Sequence, residues 1–138
     1  MRVGAKRRAV SLECGYSYRQ WGEDCLVRLE GMYAFAIWDG ARARLFCARD
    51  RLGIKPFYYA IPDGYFVFAS KIKSLLTFPG LEAVADDDGV LSFLVHGNCD
   101  FGERIAGGNA LRASHCLSLD ISAKRSLPGS TTAWSRNP

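Results

Sequence analysis

The sequence predicts an α+β fold built mainly from antiparallel strands. Three observations carry this reading: strand-like segments joined by short turns between residues 31 and 70, a helical apolar pattern on either side of them, and one strand that is apolar on both faces. Short connections imply antiparallel neighbours, because a parallel crossover needs a dozen or more residues. A strand apolar on both sides needs cover on both sides, which calls for layers. With 138 residues, 49% of them hydrophobic, the chain supports one domain with a real core.

The first element is helical. Residues 16–30 place Tyr18, Trp21, Cys25 and Leu29 at spacings of three and four, with Gly22 loosening the middle, so one amphipathic helix or two short ones fit. In "GMYAFAIWDG" the period changes to two: Met32, Ala34, Ala36 and Trp38 fall on one side, Tyr33, Phe35 and Ile37 on the other. This is the strand expected to be covered on both faces. Asp39-Gly40 reads as the two-residue turn of a hairpin, whose central positions need positive φ. The return strand, residues 42–49, points Leu45 and Cys47 one way and Phe46 and Ala48 the other, with Arg42 and Arg44 at its exposed start.

After a break at "DRLGIKP" come a strand "FYYAI", a turn at Pro62-Asp63-Gly64 and a strand "YFVFAS". Ser70 is placed to cap a helix over "KIKSLLTF", with Ile72, Leu75 and Leu76 as its apolar stripe and Pro79-Gly80 as its stop. A second helix is expected in "ADDDGVLSFLVHG". Asp86, Asp87 and Asp88 suit its positive end, and Val90, Leu91, Phe93 and Leu94 its buried side; no further carboxylates are spaced to complete a calcium loop. "HCLSLDI" alternates Leu117, Leu119 and Ile121 against Cys116, Ser118 and Asp120, a half-buried strand. Residues 122–138, rich in Ser, Thr and Pro without a period, read as a disordered tail.

The net charge is +4, and the one dense basic cluster is Arg2, Lys6, Arg7 and Arg8. A nucleic-acid arm and a solvated tail both fit it, and the tail is the reading adopted, with no nucleic-acid partner expected. No apolar run reaches membrane length and no apolar segment follows the N-terminal charges, so a cytoplasmic protein without membrane attachment is expected. The five cysteines (14, 25, 47, 99 and 116) include no Cys-x-x-Cys pair. His96 with Cys99 and His115 with Cys116 are the metal-like groupings. Adjacent strand residues face opposite ways, so His115 and Cys116 do not suit one tetrahedral ion, and no metal is expected. Cys25 or Cys47 as nucleophile, with His96 as base, competes with simple core packing; packing is preferred because one lies on a helical apolar stripe and the other within a buried strand.

"RLFCARDRLGIKPFYYA", residues 44–60, sets Arg49, Asp50, Gly53 and Pro56 into an apolar run. Arg49 and Asp50 at the end of a buried strand are expected to anchor the turn by ion pairing and backbone hydrogen bonds. Gly53 is expected at positive φ, and Pro56 restricts Ile54-Lys55 and resets the chain for the next strand.

"WGEDCLVRLEGMYAFAIWDGARARLFCARDRLGIKPFYYA", followed by "FVFASKIKSLL", closely resembles the later part of the glutaminase domain of glutamine-dependent asparagine synthetases. The resemblance is dense over residues 18–76. It is looser through "LVHGNCDFGERIAGGNALRASHCLSLD", where the family has a Gly-rich loop and a strand entered by a Pro-Gly-His turn. Phosphoribosyl amidotransferases carry a similar Arg-Asp-x-x-Gly-Ile-x-Pro loop; "GMYAFAIWD" joined to it favours the asparagine synthetase branch. The resemblance implies a four-layer αββα sandwich of the N-terminal-nucleophile hydrolase type, here partial. It divides the chain into a basic segment 1–10, a partial type-2 glutamine amidotransferase domain 11–121 and the tail 122–138.

In that family a cysteine at the mature N-terminus attacks the side-chain amide of glutamine with its own α-amine as base, and the ammonia passes to a domain that activates aspartate with ATP and Mg. In this sequence residue 2 is Arg, Val10 aligns with the aspartate that holds the substrate ammonium, and Glu13 replaces it only with a register shift. Lys71 stands where the family has a glutamate, and Gly107-Gly108 lacks the serine and aspartate of a nucleotide loop. These departures imply no catalytic residue in this chain, unknown substrate-binding residues, and no cofactor of its own. Glutamine and aspartate are partners of the intact family. The reading is an inactive fragment of a glutamine-hydrolysing asparagine synthetase-like protein, with a non-catalytic binding or regulatory module as the alternative. Open strand edges imply self-association.

Overall fold

The computed structural model describes residues 3–4, 12–82, 91, 94–95, 104–105, 108–120 and 131–133. They fall into two compact units, Lys6–Pro56 with Arg112–Pro138, and Met1–Ala5 with Phe57–Leu111. Each contains one sheet, and every described strand pairing but one is antiparallel, which gives the α+β class the sequence predicts.

In the unit containing residues 6–56, helix α1 spans Leu12–Trp21 and a 3-10 segment follows at Gly22–Val27. Gly22 adopts φ +60, so the helical stretch resolves as two pieces. Cys14 and Tyr18, four apart, share the inner face of α1 and pack with Cys25 and Leu26 against Tyr33, Phe35, Phe46 and Ala48. Tyr18 stacks on Phe46 with ring centroids 5.1 Å apart. Burying a side chain such as Phe46 stabilises by about 1.5–3 kcal/mol. Trp21 lies outside this core, where the Arg28 guanidinium sits over its ring.

The sheet of this unit runs in the order β2-β3-β8-β9, where β2 is Ala34–Asp39, β3 Arg44–Arg49, β8 His115–Asp120 and β9 Thr131–Ala133. Asp39 is paired with Arg44, so the connection is a four-residue loop, not a two-residue turn at Asp39-Gly40. The positive φ falls on Ala43 instead. Asp39 explains the difference: its Oδ1 accepts the amides of Ala41 and Arg42 and its Oδ2 pairs with the Arg42 guanidinium, which curls the chain beyond Gly40.

The strand covered on both faces is β3, where Leu45, Phe46, Cys47 and Ala48 are all buried. In β2, the strand expected to be so covered, Phe35 is buried but Trp38 on the opposite face is 52% exposed, and Met32 before it 61%. Among the described strands β2 lies at the margin of the sheet, with β3 on one side, so within them its large side chains have lateral contacts on that side alone. In β8, Leu117 and Leu119 are buried and their neighbours half-buried, the alternation expected. Thr131–Ala133 lie in the stretch read as a disordered tail, yet they form β9 against His115–Leu117; Thr131 and Thr132 are β-branched and suit a strand.

The other unit has the sheet β1-β5-β4-β7-β6: β1 Val3–Gly4, β4 Tyr58–Ala60, β5 Phe66–Ala69, β6 Arg104–Ile105 and β7 Gly108–Ala110. Asp63 and Gly64, both at positive φ, make the two-residue turn between β4 and β5, closed by Tyr65 N–H donating to Pro62 O at 2.8 Å. Val3–Gly4, within the basic segment read as a solvated tail, pair in parallel with Phe66–Val67. β6 and β7 pair antiparallel, with Ile105 opposite Gly108. A Cβ on Gly108 would come 2.8 Å from Tyr59 O and 3.0 Å from Leu75 Cδ2, so this glycine is there for close approach of β4 and the helix beneath it.

Helix α2, Ile72–Leu75, is shorter than the helix expected over residues 71–78: Leu75 is buried and Ile72 packs against the cluster of Ala60, Val67 and Leu75, as expected, but Leu76 is the C-cap. Its N-cap is Lys71, not Ser70, and no side chain caps it; Lys71 O instead accepts the amides of Ser74 and Leu75. Leu91 and Leu94, expected on the buried side of the second helix, are 60% and 74% exposed. Val90, Phe93 and the three aspartates lie outside the described residues. Among the described residues no helix is long and apolar enough to cross a membrane.

Candidate functional site: the pinned corner at residues 49–56

β3 ends at Arg49, and the next seven residues turn through a corner whose backbone is held by the two side chains that open it. Asp50 is 1% exposed although charged. Its Oδ1 accepts the amides of Leu52 at 3.2 Å and Ile54 at 2.9 Å, and its Oδ2 that of Lys55 at 2.9 Å. Arg49 takes the complementary groups: its Nε donates to Lys55 O at 2.7 Å and its Nη2 to Gly53 O at 2.6 Å. One side chain gathers the amides of the loop and the other its carbonyls. The polar groups that would forbid burying such a corner are thereby satisfied.

The main chain of Asp50 adds three tethers. Its amide donates to Tyr33 O, its carbonyl accepts the Gly53 amide within the corner, and the same carbonyl accepts the Ser114 amide from the turn before β8, at 3.0 Å. Ser114 Oγ also donates to Arg51 O. Gly53 has φ +65 as expected, and a Cβ there would meet Ala113 Cβ at 3.0 Å and the Arg49 guanidinium carbon at 3.3 Å. Pro56 closes the corner, and Phe57 begins the other unit. Leu52 is 81% exposed and Ile54 is also exposed, as are Arg51 and Lys55, so the apolar side chains of this run face outward while the Asp50 carboxylate is buried.

Burial alone would raise the pKa of Asp50, but the amides of Lys55, Ile54, Tyr33 and Leu52 outweigh it and hold the carboxyl below its ordinary value. Asp50 is therefore a fixed anion serving the backbone. Arg49 and Asp50 make backbone hydrogen bonds of the kind expected of them.

The other candidates separate from this corner. Cys25 and Cys47 are fully buried, and burial pushes the Cys25 thiol up to about 11 and the Cys47 thiol up as well. Burial also raises the Cys116 thiol. Such thiols are poor nucleophiles at neutral pH, so packing is their role. His115 has Nδ1 2.8 Å from Ala113 O. His96, Cys99 and Val10 lie outside the described residues, and Glu13 is exposed on α1. Among the described residues no three metal-ligating side chains gather.

Sequence reasoning missed Tyr33 and Ser114 as tethers. Tyr33 acts through its backbone, which leaves no mark in the sequence. For Ser114 a mark existed: Ala113-Ser114-His115 stands where the resemblance has Pro-Gly-His, and Ser114 adopts φ +58, a conformation glycine takes freely.

Against known proteins, a profile described as a glutamine amidotransferase domain matches residues 15–126, most of the chain and all of the corner. The chain belongs to the glutamine amidotransferase domain family. Among curated relatives it is similar to asparagine synthetase [glutamine-hydrolyzing] 3 of Bacillus subtilis, 48% identical over 75 residues, which are 54% of this chain and 12% of that protein. It is also similar to a putative asparagine synthetase [glutamine-hydrolyzing] 2 of Methanocaldococcus jannaschii, 46% identical over 59 residues, 43% of this chain and 12% of the relative. A third similarity is to the amidase chyE of Penicillium rubens, 43% identical over 61 residues, 44% of this chain and 9% of the relative. The chain thus spans about an eighth of the length of the asparagine synthetase relatives it matches.

Proposed function

We propose that this chain is part of the glutamine-hydrolysing domain of an asparagine synthetase-like protein, folded as a partial four-layer αββα sandwich of the N-terminal-nucleophile type, and that its described residues are scaffold. The observation that carries the scaffold role is the corner. Arg49 and Asp50, the charged pair that looks most like a catalytic one, spend their hydrogen bonds on the amides and carbonyls of their own loop. Buried thiols raised in pKa support the same reading. The sandwich is supported by α1 packed on one sheet and α2 on the other, a helical layer on a β-layer in each unit.

In such a protein glutamine is the nitrogen donor and aspartate the acceptor, with ATP and Mg serving the acceptor half. The described residues do not fit a nucleotide or its metal: they include no cluster of metal ligands, and Gly108 is filled in against Tyr59 and Leu75 instead of opening a phosphate cradle. No step through those groups is assigned to this chain. Among the described residues no disulfide joins Cys14, Cys25, Cys47 or Cys116, which is consistent with a reducing compartment, and we propose the cytoplasm as the location.

The test is to incubate the purified 138-residue chain with glutamine, measure ammonia, and treat it with a glutamine-analogue electrophile. The expected result is no ammonia above background and no covalent adduct. Stoichiometric labelling of any cysteine would sink the scaffold reading. A non-catalytic binding module on the same scaffold also predicts no turnover, and the outward Leu52 and Ile54 on a rigid corner favour it. Flanking DNA separates the two: an in-frame Met-Cys-Gly start upstream and a nucleotide-loop coding region downstream establish the fragment, and intact unrelated genes the module.

A further inference from the structure

We propose that β2 is a self-pairing edge, through which two copies of this chain join antiparallel about a twofold axis at Ala36. Among the described strands β2 ends its sheet, with β3 on one side. Protected edges usually carry a lysine, a proline or a bulge. From Met32 to Trp38 the sequence offers none of these and no charge at all; the first charged residue is Asp39, whose carboxylate is already bound to the loop that follows.

A second copy is the occupant that the register favours. Directly opposed residues in an antiparallel pair share a face, so the apolar inner faces of two copies stay aligned only when residues of the same parity meet. Two such registers overlap five residues of β2. One is centred on Ile37 and sets Asp39 against the partner's Phe35, a carboxylate on an aromatic ring. The other is centred on Ala36. It sets Ala34 against the partner's Trp38, small against large on the open face, and Phe35 against the partner's Ile37, an aromatic and a β-branched residue on the inner face, where both already pack on the core. Each Trp38, half exposed in the single chain, gains a neighbour. The pairing is isologous, so it closes at two copies.

Sedimentation equilibrium of the whole chain tests this, together with two variants. The wild type is expected to be a dimer at micromolar concentration. Trp38→Lys should weaken it at least tenfold, and Leu12→Lys, at an exposed position on α1, should leave it unchanged. Ala36→Cys should form a disulfide-linked dimer under mild oxidant where the wild type does not, since self-opposed Cα atoms lie about 4.5–5.5 Å apart, within disulfide reach. Far-UV circular dichroism checks that each variant folds. A monomer up to the highest soluble concentration overturns the proposal. So does a dimer that survives Trp38→Lys while Ala36→Cys fails to cross-link.

Discussion

Asp39 and Asp50 each stand at a strand end and turn a carboxylate back onto the loop that follows. Asp39 accepts two amides and pairs with an Arg42 side chain that is mostly in solvent. Asp50 accepts the amides of Leu52, Ile54 and Lys55 at 2.9–3.2 Å, is almost wholly buried, and is joined by Arg49 working on the carbonyls of the same loop. Both carboxyls are held below their ordinary pKa against the opposing effect of burial, so the direction of the shift does not distinguish them. What distinguishes them is what water can repair. At Asp39 the bonds are exposed and solvent can replace a lost one, whereas at Asp50 the carboxylate is buried and each lost acceptor leaves a part-buried amide that water reaches less readily.

The largest effect is expected from Asp50→Asn, which turns an acceptor oxygen into a donor facing loop amides. Urea unfolding should show a loss of about 2–4 kcal/mol. Next comes Gly53→Ala, which combines a strained positive φ with contact on Ala113 and the Arg49 guanidinium, and should cost about 1–3 kcal/mol. Acid should then reveal the same contrast. With its folded pKa below the unfolded value of about 4, Asp50 stabilises fully at neutral pH, and this contribution is lost as pH falls through 4 toward the folded pKa. A plot of Tm against pH should therefore be flatter below pH 4 in Asp50→Asn than in the wild type. The smallest effect belongs to Asp39→Asn, whose Tm change should be a minor fraction of that of Asp50→Asn and should shrink in 0.5 M salt. Equal losses at the two sites would dissolve the comparison.

The corner was legible because its chemistry is local: Arg49 and Asp50 bond to the backbone of Gly53 and Lys55 within one short loop. So were the half-buried β8 and the packing role of Cys25 and Cys47, which follow from periodicity. Where the reading failed, a distant or competing partner decided. The Asp-Gly turn chemistry belongs to Asp63-Gly64, while at Asp39-Gly40 the aspartate side chain takes over the loop. Trp38 and Met32 looked buried because alternation reports what a face is made of, not whether anything covers it. β1 and β9 are held by pairing to strands about 60 and 15 residues away, which no local pattern announces.

The position of β3 sets a schedule for synthesis. Its partner β2 precedes it by a short loop, but its other partner β8, and the Ser114 amide that locks onto Asp50, come about 65 residues later. At roughly 5–20 residues per second the ribosome needs several seconds to deliver them. During that interval the hairpin and its corner can form from local contacts alone, while Leu45, Phe46, Cys47 and Ala48 wait beside an unpaired edge. The most buried of the described strands is, for those seconds, an exposed apolar segment that a chaperone could hold.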